Sequence, residues 1–336
     1  MSRWANDPEG AADALIERSL DDIALQGRVL LVNQAGALAA MLSARGVSPS
    51  IWNRRKVGTT PASPWPPAGP FDSALVRLPK ARDEQEMTMH ATLSVLTPGA
   101  RLILYGGNDE GIRSAVPLLE AVAEDVETIA ARGHGRVLAA NKPGSIGTLK
   151  SSLHAWRTIS PMQISANTRD WVSYPGVFAA GRLDEGTALL LRALPAVPAG
   201  ARILDYGCGS GVIGATVVAR EPSIDLTMLD HDAVALEAVR ENVPGARLVL
   251  GTSLADAGDP YDFIFSNPPL HQGIAEDRAL LDRLIGDAPA HLKPNGILQV
   301  VVQRRVPLDR AFADHFGRVE VVAENGRYRI WRARRV

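Results

Sequence analysis

Apolar and polar positions follow an ordered pattern along the second half of the chain. Short apolar runs typical of buried strands occur at four places: 202–206, 225–230, 249–250 and 261–266. Helical spacing of apolar residues occurs between them, at 212–220 and 233–241. Because parallel strands need helical crossovers, this alternation predicts a parallel sheet with helices on both faces.

The pattern continues to the end of the chain. Three elements are predicted next, in this order: a helix at 277–292, a turn at 293–296 and a strongly apolar strand at 297–303. Two last apolar runs, 319–323 and 328–333, flank Asn325-Gly326, a dipeptide typical of hairpin turns. They predict an antiparallel pair of strands at one edge of the sheet.

The first half of the chain repeats this order of elements in a changed form. Three pairs of segments align: residues 28–37 with 202–211, 71–79 with 261–269, and 96–104 with 292–300. In the first copy Leu31 replaces Asp205, and Arg77 replaces Asn267. We interpret the chain as a duplication whose first copy has lost its chemistry; chance similarity between two α/β units is the alternative.

Length and turn residues predict two domains. A chain of 336 residues suits about two domains of ordinary size. Turn residues and mixed polarity between Gly144 and Pro161 are typical of a linker. We therefore predict two tandem, Rossmann-like α/β domains: a degenerate one at 1–155 and a catalytic one at 156–336.

Composition is that of an ordinary soluble globular protein. Hydrophobic residues make up 46% and charged residues 22% of the sequence, and the mean hydropathy is -0.01. No apolar run is long enough for a membrane span, and the first residues lack the apolar stretch of a signal peptide. Cys208 is the only cysteine, so no intrachain disulfide is possible. We expect a cytoplasmic protein with no membrane contact.

Charge is unevenly distributed although the net charge is only -1. Acidic residues are missing between Asp22 and Asp72 and again between Glu127 and Asp170. The first of these basic windows contains Arg54, Arg55 and Lys56, and the second contains Arg132 and Arg136 among others. Such windows suit a nucleic-acid phosphate backbone, and solvated basic faces without a partner are the alternative.

Residues 205–211, Asp-Tyr-Gly-Cys-Gly-Ser-Gly, lie between a predicted strand and a predicted helix. Three glycines, Gly207, Gly209 and Gly211, allow a tight turn and a close approach of backbone to ligand. Asp205, at the end of the strand, would repel a pyrophosphate and attract an ammonium group. Cys208 has no evident partner for a redox or nucleophilic role.

Asp230 ends the next predicted strand, with His231 beside it as a further candidate. An acidic residue at this place can bind both hydroxyls of a ribose. S-adenosylmethionine carries an ammonium group and a ribose but no phosphate, and we predict it as the cofactor. Thr252 and Ser253 are candidates for contacts with its adenine, and capping of a turn is equally consistent with them.

Residues 266–271, Ser-Asn-Pro-Pro-Leu-His, follow the predicted strand at 261–266. Two prolines remove two backbone donors and fix two φ angles, so this segment leaves the sheet as a rigid tip. The side-chain oxygen of Asn267 and the carbonyl of Pro268, held by Pro269, can together accept hydrogen bonds from a planar NH₂ group. An ordinary Asn-Pro turn is the alternative, and His271 either accepts a proton or anchors the loop.

These motifs together resemble the class I methyltransferases, and more narrowly the two-domain bacterial ribosomal RNA guanine-N2 methyltransferases. The similar segments are 106–114, 175–178, 183–187, 205–211 and 266–271. The resemblance implies a seven-stranded catalytic sheet, S-adenosylmethionine as cofactor and guanine N2 as methyl acceptor. It also places Asp184 and Thr187 at the amino-acid end of the cofactor, with a helix cap as the alternative.

One residue departs from the family pattern. Leu270 stands where these enzymes usually have an aromatic residue that stacks on the target base. Phe178 or Trp171 is the candidate to replace it. Both Leu270 and Phe178 are therefore predicted to contact the substrate.

The leading hypothesis is an enzyme whose first domain binds ribosomal RNA or a ribosomal subunit while the second transfers the methyl group. A second hypothesis keeps the cofactor and changes the acceptor to adenine N6 or a protein glutamine. A third is a non-catalytic RNA-binding or assembly protein. The sequence suggests no metal site and no obligate protein partner.

Overall fold

Two compact units make up the chain, Met1–Arg157 and Thr158–Val336. The sequence predicts a boundary between residues 155 and 156, and the observed division lies two residues later. The computed structural model describes residues 8–336 apart from 24, 35, 146, 259 and 269–273. None of the helices described in these ranges has the length and apolar character of a membrane span.

The described part of the first unit contains a six-stranded sheet with the order β2-β1-β3-β4-β6-β5. Its strands are β1 (Val29–Val32), β2 (Ser50–Trp52), β3 (Phe71–Arg77), β4 (Leu96–Gly107), β5 (Glu124–Arg132) and β6 (Gly135–Asn141). Its helices are α1 (Pro8–Ser19), α2 (Ala37–Ala44), α3 (Arg82–Ser94), α4 (Ile112–Glu120) and the 3₁₀ turn Leu153–Trp156. The first four strands pair in parallel, and β6 pairs antiparallel with both β4 and β5.

The described part of the second unit contains a seven-stranded sheet with the order β11-β10-β9-β12-β13-β15-β14, and a separate hairpin, β7-β8. The strands are β7 (Thr158–Ile164), β8 (Asn167–Ser173), β9 (Arg202–Tyr206), β10 (Asp225–Asp230), β11 (Arg247–Leu250), β12 (Tyr261–Ser266), β13 (Leu292–Gln303), β14 (Arg318–Glu324) and β15 (Tyr328–Arg334). The helices are the 3₁₀ turn Phe178–Gly181, α5 (Glu185–Arg192), α6 (Val212–Arg220), α7 (Ala233–Asn242), α8 (Leu254–Ala257), α9 (Ile274–His291) and α10 (Asp309–Ala313). Strands β9 to β13 of the sheet pair in parallel, and β15 is antiparallel to both of its neighbours.

The predicted α/β sheet is confirmed, and four elements of the second unit have both ends at the predicted residues: β9, α6, β10 and β12. The reason is that the central strands are buried on both faces. Ile203 and Leu204, neighbours on β9, pack into two different apolar clusters on opposite sides of the sheet. Such strands form continuous apolar runs whose ends are easily recognised.

Four predictions about the bounds of elements are corrected. The helix expected at 277–292 is α9, which extends from Ile274 to His291. The strand expected at 249–250 is β11, which begins two residues earlier, at Arg247. The turn expected at 293–296 lies inside β13. There a step of two residues along β12, from Tyr261 to Phe263, corresponds to a step of five along β13, from Leu292 to Ile297. The linker expected to reach Pro161 ends earlier, because the hairpin β7-β8 begins at Thr158.

Within the residues that the structure describes, the first unit repeats the strand order of the second without a counterpart of β11. The same irregularity occurs between β3 and β4, where Phe71 pairs with Leu96 and Ser73 with Arg101. A local contact is repeated as well. The backbone N–H of Arg28 donates to Asp72 Oδ2 at 2.9 Å, and that of Arg202 donates to Asp262 Oδ2 at 2.8 Å. Shared topology, register and contacts support the interpretation of a duplication.

Candidate active site

A cleft of about 380 Å³, which includes space open to solvent, lies at the carboxyl ends of β9 and β12. Its lining contains six of the residues predicted for the site: Phe178, Asp184, Thr187, Gly207, Gly209 and Asn267. Ligands of open parallel sheets bind at this edge. The structure therefore brings the glycine loop, the segment before α5 and the tip after β12 to one place.

The glycine loop has the backbone conformation that its sequence predicts. Gly207, Gly209 and Gly211 have φ angles of 70°, 52° and 97°, which residues with a side chain rarely adopt. A Cβ on Gly211 would lie 3.0 Å from Val243 Cγ2, whereas a Cβ on Gly207 would meet no atom within 4 Å. Gly211 thus permits close packing of α6, and Gly207 leaves room for a ligand.

Asp205 lies beneath this loop and is fully buried. Its Oδ2 accepts the backbone N–H of Gly214 at 2.9 Å, which ties β9 to α6. Burial first, and then the negative charge of Asp230, raises the pKa of Asp205 to about 7. Among the described residues, no group donates a hydrogen bond to the buried Oδ1. An unpartnered carboxylate oxygen fits a cationic cofactor, although Asp205 itself does not line the cleft.

Asp230 connects the glycine loop to the end of β10. One carboxylate oxygen accepts the N–H of Gly209 at 2.8 Å, and the other accepts the N–H of Asp232 at 2.9 Å. His231 Nδ1 lies 3.2 Å from Asp230 Oδ1, and its side chain is partly exposed. Because each carboxylate oxygen can accept more than one hydrogen bond, Asp230 retains acceptor capacity for ribose hydroxyls.

Thr252 and Ser253 form the start of α8. The hydroxyl of Ser253 and the backbone N–H groups of both residues bond to Asp256 Oδ2 at 2.9 to 3.0 Å. This is a capping box, so the capping alternative describes the local structure. Contact of either residue with adenine stays a prediction.

Asn267 is held by two residues of the segment that begins α5. Its Nδ2 donates to Asp184 Oδ2 at 3.2 Å and to Thr187 Oγ1 at 2.8 Å. Asp184 also caps α5 by accepting the N–H of Thr187 at 2.9 Å. Since a carboxylate only accepts, the amide nitrogen must face it, and within the described structure the amide oxygen of Asn267 accepts no hydrogen bond.

The remainder of the predicted tip is described only in part. Pro268 is buried directly after Asn267. The predicted site residues Pro269, Leu270 and His271 lie outside the described residues. Their assigned roles stay predictions.

The two aromatic candidates for stacking have different environments. Phe178 lines the cleft and has 43% of its surface exposed. Trp171 is completely buried, and its indole N–H donates to Ser210 Oγ at 3.0 Å. Of the two alternatives, Trp171 is therefore excluded as the stacking residue, because its ring has no exposed face.

A residue outside the predicted site supports the glycine loop from behind. Asn242, at the end of α7, donates to the carbonyl of Ser210 at 3.0 Å and forms two bonds with the backbone of Val172, both at 2.8 Å. Because the side chain of Asn242 bonds to backbone groups, no side-chain pattern in the sequence signals these contacts. Burial raises the pKa of the Cys208 thiol well above its usual value, so no thiolate role arises there.

The basic triplet of the first unit is partly internal. Arg54 is 1% exposed, and its Nη1 lies 3.7 Å from Glu84 Oε1. Arg55 makes two hydrogen bonds with the same carboxylate, at 2.5 and 2.8 Å, and Lys56 is half-buried. The prediction that Arg54 contacts phosphate is wrong, since its guanidinium lies in the interior with a carboxylate beside it. Phosphate contacts of Arg55 and Lys56 stay predictions.

In the first unit, the residues at the places that correspond to the site bond within that unit. Asn53 takes the place of Asp230 and bonds to the backbone of Gln34 at 2.8 and 3.1 Å. Arg77, in the place of Asn267, makes two hydrogen bonds with Glu110 at 2.6 and 2.8 Å and an ion pair with Asp13 at 3.2 Å. The first unit thus has no carboxylate in the places of Asp205 and Asp230. Asn53 and Arg77 use their hydrogen-bonding groups on neighbouring residues of the same unit.

Comparisons with known proteins agree with this arrangement. The family model of the methyltransferase small domain matches residues 169–332, and that of its N-terminal domain matches residues 15–142. The ribosomal RNA small subunit methyltransferase C of Hahella chejuensis is 31% identical over 326 residues, which is 92% of this chain and 94% of the relative. The chain belongs to this methyltransferase family. A protein with the same description from Pseudomonas aeruginosa is 36% identical over 273 residues, or 80% of this chain and 81% of the relative.

The fold of the family extends over both units. The 16S rRNA N2 G1207 methyltransferase of T. thermophilus, solved in complex with AdoMet and guanosine, has a TM-score of 0.85 and covers 99% of this chain and 93% of its own. Its sequence is 20% identical, so this likeness concerns the fold. Family and fold together confirm the predicted resemblance, the predicted fold class and, at the level of the family, the prediction of a methyltransferase that uses S-adenosylmethionine.

Proposed function

We propose that this protein transfers a methyl group from S-adenosylmethionine to the exocyclic N2 amine of a guanine in small-subunit ribosomal RNA. The observation that carries the proposal is the amide of Asn267 in the lining of the cleft: its nitrogen is held by Asp184 and Thr187, which leaves its oxygen as the acceptor. The relatives named as ribosomal RNA small subunit methyltransferases support the choice of substrate.

The cofactor would lie against the glycine loop. Gly207 leaves space for it, Asp230 offers acceptors for the ribose, and the unpartnered oxygen of Asp205 places negative charge below the amino-acid end. The bound cofactor supplies a methyl group on a positively charged sulfur, which leaves as a neutral thioether.

Asn267 and Pro268 would orient the acceptor. The lone pair of a guanine amine is delocalised into the ring, so the amine attacks poorly until it is turned towards the methyl group. Asn267 Oδ1 and the Pro268 carbonyl accept its two hydrogens and hold the nitrogen in line. One proton is lost to solvent after transfer, and no strong general base is required. His271 is an alternative acceptor for this proton.

Phe178 would hold the base in the cleft. Its exposed ring beside the glycine loop offers the aromatic stacking surface that an aliphatic residue such as Leu270 lacks. The target base must be unpaired or leave its stack to reach this ring. The first domain would bind the surrounding RNA, and the cytoplasm, where ribosomes are assembled, is the proposed location.

The decisive experiment follows methyl transfer from labelled S-adenosylmethionine to isolated small subunits and to protein-free ribosomal RNA, with mass mapping of the modified nucleotide. We expect N2-methylguanosine from the wild type, and a loss of about a hundredfold in kcat from Asn267→Ala with nearly unchanged cofactor affinity. Asn167→Ala, at the exposed start of β8, is the matched control.

Each alternative hypothesis has its own outcome in this assay. N6-methyladenosine or methylated protein glutamine as the product would assign another acceptor. Cofactor binding without transfer to any RNA would indicate the non-catalytic protein. Either result would overturn the proposal.

A further inference from the structure

We propose that Asp184 and Thr187 are positioning residues that set the orientation of the Asn267 amide, and so make the site selective for an acceptor that donates hydrogen bonds. The inference rests on the function proposed above. It assigns to both residues a role different from the cofactor contact that the family resemblance implies.

The carboxylate of Asp184, which can only accept, sets the direction of the hydrogen bonds in this group. Asp184 Oδ2 only accepts, and it takes the N–H of Thr187 at 2.9 Å, the hydroxyl of Thr187 at 3.4 Å and Nδ2 of Asn267 at 3.2 Å. Because the single hydroxyl proton of Thr187 points to Asp184, its oxygen is left to accept the second hydrogen of Asn267 Nδ2 at 2.8 Å. Both amide hydrogens are therefore used.

This polarity leaves Asn267 only one favourable orientation. If the amide turned over, its oxygen would face a carboxylate and a hydroxyl oxygen that has no second proton to offer. The amide would then present its NH₂ group to the cleft, where the amine of the substrate also donates. Asp184 and Thr187 thus convert an ambiguous amide into an acceptor.

The start of α5 is also held on the side away from Asn267, by the turn between β14 and β15. These contacts keep Asp184 and Thr187 next to Asn267. Glu185 accepts hydrogen bonds from Asn325 at 3.2 Å and from Arg327 at 3.1 Å, both in the turn between β14 and β15. A Cβ on Gly186 would lie 3.1 Å from the ring of Tyr328, so the backbone of the helix packs directly on this ring. These contacts attach the start of α5, and with it Asp184 and Thr187, to the edge of the sheet.

Two variants of Thr187 separate positioning from cofactor binding. Thr187→Val keeps the shape of the side chain and removes the hydroxyl, so the amide of Asn267 loses one partner. We expect kcat for RNA to fall about tenfold or more while the Kd for S-adenosylmethionine, measured by calorimetry, changes less than twofold. Thr187→Ser restores the hydroxyl and should restore kcat. Thr168→Val, at the exposed end of hairpin β7-β8, should leave both quantities unchanged.

A variant of Asp184 separates positioning from helix capping. Serine is a good N-cap, so Asp184→Ser retains the cap of α5, but its shorter side chain does not reach Asn267. We expect a thermal midpoint near that of the wild type together with a reduced kcat and an unchanged Kd for the cofactor.

The possible failures can be told apart. A Thr187→Val enzyme with the kcat of the wild type would overturn the positioning role. A parallel loss of cofactor affinity in Thr187→Val that Thr187→Ser repairs would overturn it as well, in favour of a cofactor contact. If the wild type itself methylates no RNA, the proposed function fails, and this inference fails with it.

Discussion

Trp171 donates its indole N–H to the hydroxyl of Ser210 at 3.0 Å, and so connects the hairpin β7-β8 to the glycine loop of the cofactor site. The two residues are 39 positions apart in the chain. Trp171 is completely buried and Ser210 nearly so. The hairpin therefore supports the back of the loop whose front faces the cleft.

Removing either Ser210 or Trp171 should lower the free energy of unfolding. Removing both should lower it by less than the sum of the two single effects. Ser210→Ala leaves a buried N–H without an acceptor, and we expect a loss of about 1–3 kcal/mol in the free energy of unfolding. In the double variant with Trp171→Phe no unsatisfied donor remains, so the two effects should be less than additive. Urea unfolding of the wild type, both single variants and the double variant measures this coupling. Strict additivity would show that the hydrogen bond contributes nothing.

Asp205 should make stability and cofactor binding depend on pH in opposite directions. Its pKa of about 7 in the folded protein lies above the ordinary value of 3.8 in the unfolded chain. The contribution of this group to stability is therefore fully present below about pH 4 and is lost as the pH rises towards 7. A cationic cofactor favours the ionised carboxylate, so its affinity should rise between pH 6 and 8.

Asp205→Asn provides the measurement for this expectation. The variant keeps the size of the side chain and cannot ionise, so the free energy of unfolding should vary less between pH 5 and 8 than in the wild type. Calorimetric titration with S-adenosylmethionine should release a proton near pH 7 in the wild type and not in the variant. An unchanged pH profile in Asp205→Asn would assign the titration to another group.

Sequence patterns predicted those parts of the fold that depend on local burial. The ends of β9, α6, β10 and β12 follow from apolar runs with polar ends. The hairpin β7-β8 was missed because its exposed faces interrupt the alternation, and residues of β7 and β8 such as Ile159 and Arg169 face solvent. Edge elements of this kind carry weak patterns.

The site was predicted as a set of residues but not as a set of contacts. Asn267 and the glycine loop stood out because prolines and glycines restrict or extend the backbone locally. The bond between Asn267 and Thr187 joins residues 80 positions apart, and only the three-dimensional fold reveals it. Arg54 was assigned to the RNA-binding surface for the same reason, because a charge pattern cannot show that Arg54 is buried beside Glu84.

Arg54 and Arg132 should consequently respond differently to substitution. Arg54→Ala removes a buried guanidinium beside Glu84, and we expect a destabilisation of about 3 kcal/mol with unchanged RNA affinity of the folded protein. Arg132 is exposed at the end of β5. Arg132→Glu should leave stability within about 0.5 kcal/mol and should weaken binding of ribosomal RNA, with a smaller dependence on salt.

The RNA measurement needs a charge control outside the basic windows. Arg305 is exposed in the second unit, and Arg305→Glu makes the same change of net charge. Filter binding of RNA at several salt concentrations compares the three variants. Equal losses in Arg132→Glu and Arg305→Glu would mean that net charge alone, and not the basic window, determines RNA affinity.

Substitutions of Gly207 and Gly211 should have different effects, one on cofactor affinity and the other on stability, although both residues lie in the same loop. A Cβ on Gly211 would combine a φ of 97° with a contact of 3.0 Å to Val243, so Gly211→Ala should lower the free energy of unfolding by about 1–3 kcal/mol. A Cβ on Gly207 meets no protein atom and enters the cleft, so Gly207→Ala should cost about 1 kcal/mol of stability and most of the cofactor affinity. Gly200→Ala is the matched control, because Gly200 has a φ of 72°, equally open surroundings and no place in the cleft. Calorimetry with S-adenosylmethionine should therefore distinguish Gly207→Ala from Gly200→Ala, and equal affinities in the two variants would mean that the cofactor does not lie against Gly207.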